Sequence, residues 1–144
     1  MNRAFKECLD RKRLIPFPRA KKLSPKEMRA AQEDLAEATD RLSHCRYKYA
    51  TINAYYAIFH AARALLYSKG FRERSHYCLG IALEALFVET GYLAGRYSRI
   101  FQGVMALRED ADYSGSYSKD GAAVGIANAR EFIMAAKKLL RTRS

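Results

Sequence analysis

The stretch "INAYYAIFHAARALLY", Ile52 to Tyr67, decides the fold. It holds no glycine or proline, is dense in alanine, and is apolar on nearly every side, the pattern of a helix buried in a bundle rather than laid on a surface. It nonetheless carries Asn53, His60 and Arg63. At about 100° per residue, Ala54, Ala57, Ile58, Ala61, Ala64 and Leu65 fall on one side, small enough to let a neighbour approach closely. Ile52, Tyr55, Phe59 and Leu66 fall on the other. Between them Asn53, Tyr56, His60, Arg63 and Tyr67 line one strip. An unpaired buried guanidinium or imidazole costs several kcal/mol, so this strip is either paired internally, fixing helix register, or opens onto a cleft.

Working outward, the helix should cover 47–69 and stop at Gly70. Before it, "SPKE" reads as a helix start: Ser24 as cap, Pro25 in the first helical position, and Glu27 completing a capping box. That helix runs on with Met28, Leu35 and Leu42 inward and ends near His44, whose imidazole suits a helix C-terminus. After Gly70, Ser75 caps a third helix with Leu79, Leu83, Leu86 and Phe87 inward, ending at Gly91. A fourth over 98–112 places Ile100, Val104, Leu107 and Ala111 on one stripe, and a fifth from Ser118 or Asp120 carries Ile126, Ala129, Ile133, Ala136 and Leu140. Upstream, Pro16 and Pro18 hold Phe17 in an extended passage after a short helix.

No segment shows sustained strand alternation. The expected fold class is therefore all-α, an up-and-down bundle of four long helices plus one or two short N-terminal or peripheral helices. Residues 1–144 form a single domain on this reading, with a basic extension over 1–23 and the helical bundle over 24–144.

The chain carries a net charge of +11 over 144 residues. Its ends supply it: eight Lys/Arg against two acids in 1–23, and five against one in 130–144. Such clustering favours an anionic partner, nucleic acid or an acidic protein. No apolar run approaches the roughly 18 residues of a membrane span. The N-terminus is too charged for a signal peptide, so a soluble cytoplasmic protein is expected. Cys8, Cys45 and Cys78 are odd in number and far apart, and read as reduced thiols. There is no phosphate loop, dinucleotide fingerprint, HExxH or GxSxG, and the three histidines lack metal-ligand spacing, so neither cofactor nor metal is expected.

Two further groups of residues stand out. In "ALREDADY", Arg108 and Asp112 lie one turn apart with Tyr113 beside them, and Asp112 can pair with Arg63 or with Arg108. In "FRERSHYCLG", Arg72, Arg74 and His76 meet a helix N-terminus, an anion-friendly corner suited to a phosphate.

"YKYATINAYYAIFHAARALLYSKGFRERSHYCL", together with "LREDADY" and "GAAVGIANAREFI", resembles the HEPN domain family in its branch of small stand-alone prokaryotic proteins. The resemblance covers essentially the whole chain. It implies a four- to five-helix bundle, commonly a homodimer, encoded beside a minimal nucleotidyltransferase and forming a toxin and antitoxin pair with it. Many members are metal-independent ribonucleases whose signature is an Arg, four to six residues, then a His, set at the dimer interface. An imidazole there moves the 2′-hydroxyl proton while a guanidinium holds the phosphate. Here the matching Arg is Arg108, but Asp112 follows four positions on and Tyr113 five, no His stands at catalytic spacing, and none occurs after His76. Substitute catalytic candidates are His60, Arg63 and His76 with Arg108, Asp112 and Tyr113, and phosphate binding would fall to Arg63, Arg72, Arg74 and His76. Other members of the family bind nucleotides or serve as the substrate-binding subunit of the nucleotidyltransferase, in which case Tyr113 and Tyr117 are reachable acceptors. The expected function is a nucleotide- or RNA-binding partner of a minimal nucleotidyltransferase, with a non-catalytic or purely structural subunit as the alternatives.

Overall fold

Helix α3, Tyr47–Ser68, is the axis of the structure, a computed structural model that describes residues 2–143. Ala50, Ala54, Ala57, Ala61 and Ala64 are wholly buried along it. These short side chains let two long helices lie close against it: α2, Ala20–Ser43, and α6, Lys119–Arg143. A Cβ placed on Gly125 of α6 would stand only 3.5 Å from that of Ala54. The larger side chains of the opposite face, Tyr55, Phe59 and Leu66, meet α5, Gly95–Glu109, and α4, His76–Leu83. Phe87, Phe101 and Phe132 complete the core. The chain is thus an all-α bundle, with one short helix, α1, Arg3–Asp10, at the N-terminus. Among the described residues no helix is long and apolar enough to cross a membrane.

Several local expectations are corrected. Helix α2 begins at Ala20, four residues before Ser24, because its first amides are taken by the carbonyls of Phe17, Pro18 and Arg19. Ser24 therefore caps nothing. Its buried hydroxyl donates instead to the Ala64 carbonyl at 2.7 Å, tying α2 to α3, and Pro25 lies inside the helix. Glu27 is released from the capping role and faces α3. The boundary at 23/24 accordingly falls within α2 rather than ahead of it.

The expected extended passage is half of a small antiparallel ribbon. Strand β1, Leu14–Pro16, pairs with β2, Phe71–Glu73, so that Leu14 stands opposite Glu73. Gly70 makes this return possible, ending α3 at φ +80°, a conformation that costs glycine little. The pleat then alternates faces, exposing Arg72 and burying Glu73.

Cys8 and Cys78 are not free thiols: they form a disulfide that fastens α1 to α4, and Cys45 alone is free and exposed. The two sites are 70 residues apart in sequence, so only the fold brings them together. Two helices also end in a single wide π turn, Glu84–Val88 after α4 and Asp110–Ser114 after α5. Ser75 does cap α4, accepting from the Cys78 amide at 3.0 Å. His44 bonds the Asp40 carbonyl at the end of α2.

Candidate functional site

The polar strip of α3 is divided between two clusters. In the first, three carboxylates from two elements close around His60 and Arg63. Glu27 of α2 holds His60 Nδ1 at 2.7 Å and Arg63 Nη1 at 3.2 Å. Asp34, two turns further along the same face of α2, accepts from the Asn53 amide at 3.2 Å and lies 3.7 Å from His60 Nε2. Glu73 of β2, with only 3% of its side chain exposed, accepts from Nε and Nη2 of Arg63. The Arg63 guanidinium lies 4.5 Å from the centre of the Phe59 ring. Arg63 thus pairs with Glu27 and Glu73 and not with Asp112. Burial pushes the Glu27 carboxyl up, but the His60 hydrogen bond and the Arg63 charge outweigh it and hold the group below its ordinary value. Asp34, with weaker compensation, is raised by burial.

The second cluster gathers α3, α4 and the end of α5. His76 leads α4 and is exposed, yet its Nδ1 meets the hydroxyl of the wholly buried Tyr55 at 2.6 Å. The Arg108 guanidinium lies 5.2 Å from the same Tyr55 ring and 5.6 Å from the ring of Tyr113. Arg108 is therefore sandwiched between a buried tyrosine and an exposed one, a position in which cation–π attraction holds it without neutralising its charge. Asp112, one turn on, approaches to 3.5 Å at the surface. The buried Nε of Arg108 has no hydrogen-bond partner among the described residues. The π turn over Asp110–Ser114 is what brings Tyr113 round beside Arg108, and such turns recur where a helix is bent to serve a site.

Electrostatics differ between the clusters. The first surrounds the Arg63 guanidinium with acids. In the second, burial and then the Arg108 charge lower His76 below the usual imidazole range, so the ring is neutral near pH 7. Burial pushes the Tyr55 phenol up to about 12, so it remains protonated and serves as a fixed hydrogen-bonding partner. A neutral imidazole beside a permanent guanidinium can accept a proton while the cation receives an anion. Phe59 joins the two clusters, its ring 4.6 Å from His76 and 5.4 Å from His60.

The remaining candidates lie apart. Arg72 points outward over the Phe17 ring at 5.9 Å, and Arg74 is exposed, its amide spent on the Arg13 carbonyl. Tyr117 is exposed in the loop before α6. Residues that sequence reasoning missed are Tyr55, Glu27, Asp34 and Glu73. The seven-residue step from Glu27 to Asp34 was a legible signal of a shared helix face; nothing local marked Glu73 or the Tyr55 hydroxyl. Among the described residues no group of His, Cys, Asp and Glu is arranged to hold a metal ion.

Two comparisons bear on this arrangement. The HEPN domain profile matches residues 26–140. A protein of Methanocaldococcus jannaschii named "Putative toxin MJ0605" is 34% identical over 112 residues, covering 77% of this chain and 84% of that one.

Proposed function

Because the chain belongs to the HEPN domain family, we propose that it is a toxin-like RNA-binding protein that cleaves RNA without a metal, using His76 where the family motif on helix α5 lacks its His. The observation that carries this reading is the convergence of His76 and Arg108 on one side chain, Tyr55. Arg108 would hold the scissile phosphate through the outer Nη groups of a guanidinium kept in place between two tyrosine rings. The Tyr55 hydroxyl oxygen would accept a hydrogen bond from Nδ1–H of His76 and leave the Nε2 lone pair turned to solvent. The 2′-hydroxyl proton then passes to Nε2, the oxygen attacks the adjacent phosphorus, and a 2′,3′-cyclic phosphate forms as the 5′-oxygen departs and takes a proton from water. The exposed ring of Tyr113 borders this corner and offers a stacking face to an unpaired base. The chain would act in the cytoplasm as a homodimer, with a minimal nucleotidyltransferase as its antitoxin partner.

Incubation of the purified protein with single-stranded RNA in excess EDTA tests the proposal. Cleavage with cyclic-phosphate ends is expected, with H76A and R108A each reducing the rate at least a hundredfold while both remain folded. Undiminished cleavage by H76A, or none by the wild type at any concentration, overturns it. A second reading, a non-catalytic nucleotide- or substrate-binding subunit of the nucleotidyltransferase, is favoured by Asp112. This carboxylate stands 3.5 Å from Arg108 and competes with a phosphate for its guanidinium. Tight RNA or nucleotide binding without cleavage would select it.

A further inference from the structure

On the far side of α2 from Glu27 and Asp34, two depressions of 610 and 560 Å³ run end to end between α2 and α6, meeting at Lys137. Their rims carry Lys21, Arg29, Arg130, Lys137 and Arg141, and among the described residues no carboxylate lines either one. Their floor is aliphatic and thioether, Met28, Leu35, Ile133 and Leu140, with Met134 at the mouth. Met134 is 70% exposed, an unusual position for so large an apolar side chain.

We propose that this groove is the docking surface for an acidic amphipathic helix of a partner protein. Along α2 the lining extends from Lys21 to Thr39, about 27 Å at 1.5 Å per residue, which matches a helix of about five turns. Such a helix would lay leucine-type side chains over Met28 and Ile133 and against Met134, and present Glu or Asp to the cations on both rims, the helix-in-groove mode of recognition.

Charge and chemistry choose this occupant over two others. A second copy would bring the same cation-rimmed face to an isologous contact, and like charges oppose it. RNA would find cations here, but among the described residues no aromatic ring lines the groove to stack a base. The exposed Tyr113 lies instead beside Arg108. The inference stands independently of whether the chain cleaves RNA.

A fluorescein-labelled 18-residue peptide with leucines at i, i+3, i+4 and i+7 and glutamates elsewhere serves as the probe. Its controls are a scrambled peptide of the same composition, a lysine counterpart, and a single-stranded RNA of equal length. Anisotropy should show saturable binding of the acidic amphipathic peptide alone, at least tenfold tighter than the scrambled one. R130E/K137E and M134E should each weaken it at least tenfold at unchanged melting temperature. Amide shifts in the wild-type protein, read by NMR, should map to α2 and α6, which keeps the test decisive if a variant misfolds. Equal binding of the scrambled peptide, displacement by the RNA, shifts elsewhere, or no binding at millimolar peptide would each overturn the proposal.

Discussion

Removing the Arg63 guanidinium should expose how much of the fold rests on one ion pair. In Arg63→Met the stem of the side chain is kept and its packing on Phe59 largely preserved, but Glu73 is left 3% exposed with no cation. Glu73 already has one buried oxygen, Oε1, without a hydrogen-bond partner. Stranding a buried charge costs about 3 to 5 kcal/mol, and because Arg63 itself is 26% exposed and water can enter the vacated space, the lower end, about 3 kcal/mol, applies. For a chain of 144 residues this lowers the melting temperature by about 10 °C. Urea denaturation at pH 7 measures the loss directly, with an unchanged slope showing that the unfolded state is the same. The companion variant Arg63→Met/Glu73→Leu removes the stranded charge and should recover most of the loss, because a buried pair replaced by apolar groups of similar volume is often neutral. A single-variant cost below about 1 kcal/mol, or no recovery in the double variant, would refute the reasoning that burial makes this pair interdependent.

Three further outcomes follow from the geometry. Ser24→Ala should cost about 1 kcal/mol in chemical denaturation, since it deletes the hydroxyl bonded to Ala64 but leaves a helix-favouring residue. At Gly125, alanine should stabilise by up to about 1 kcal/mol because a Cβ meets Ala54 at an ordinary contact distance, whereas leucine should destabilise by about 2 kcal/mol by forcing α6 away from α3. Stability measured against pH should decline in two stages. As pH falls through 6.5 the unfolded chain takes up a proton that the folded His76, with its lowered value, refuses; His76→Gln should remove this stage. The depressed Glu27 contributes stability that is complete above its ordinary 4.5 and drains away as pH falls through its lower folded value.

The correspondence between residues and structure is closest where a signal is local and periodic. The small-residue face of α3, its end at Gly70 and the Ser75 cap were all legible, because each depends on side chains a turn or less apart. The start of α2 was not, since "SPKE" satisfies a local rule that three upstream carbonyls pre-empt. The destination of Glu27 was hidden for the same reason: a residue suited to a cap is equally suited to a salt bridge with whatever helix lies opposite. Neither π turn is marked by composition, and the one after α5 sets where Tyr113 stands.

Sequence alone determined that this chain is a helical bundle built on α3, that its ends are basic, and that Arg108 lacks a following His. Helical periodicity and net charge are properties of neighbours along the chain, so they survive without knowledge of the fold. Only the tertiary structure decided the partners: Arg63 with Glu73, Cys8 with Cys78, and His76 with Tyr55 and, through it, Arg108. Each of these joins residues from different elements, and electrostatic and hydrogen-bonding energies depend on separations of a few ångströms that packing, not local sequence, sets.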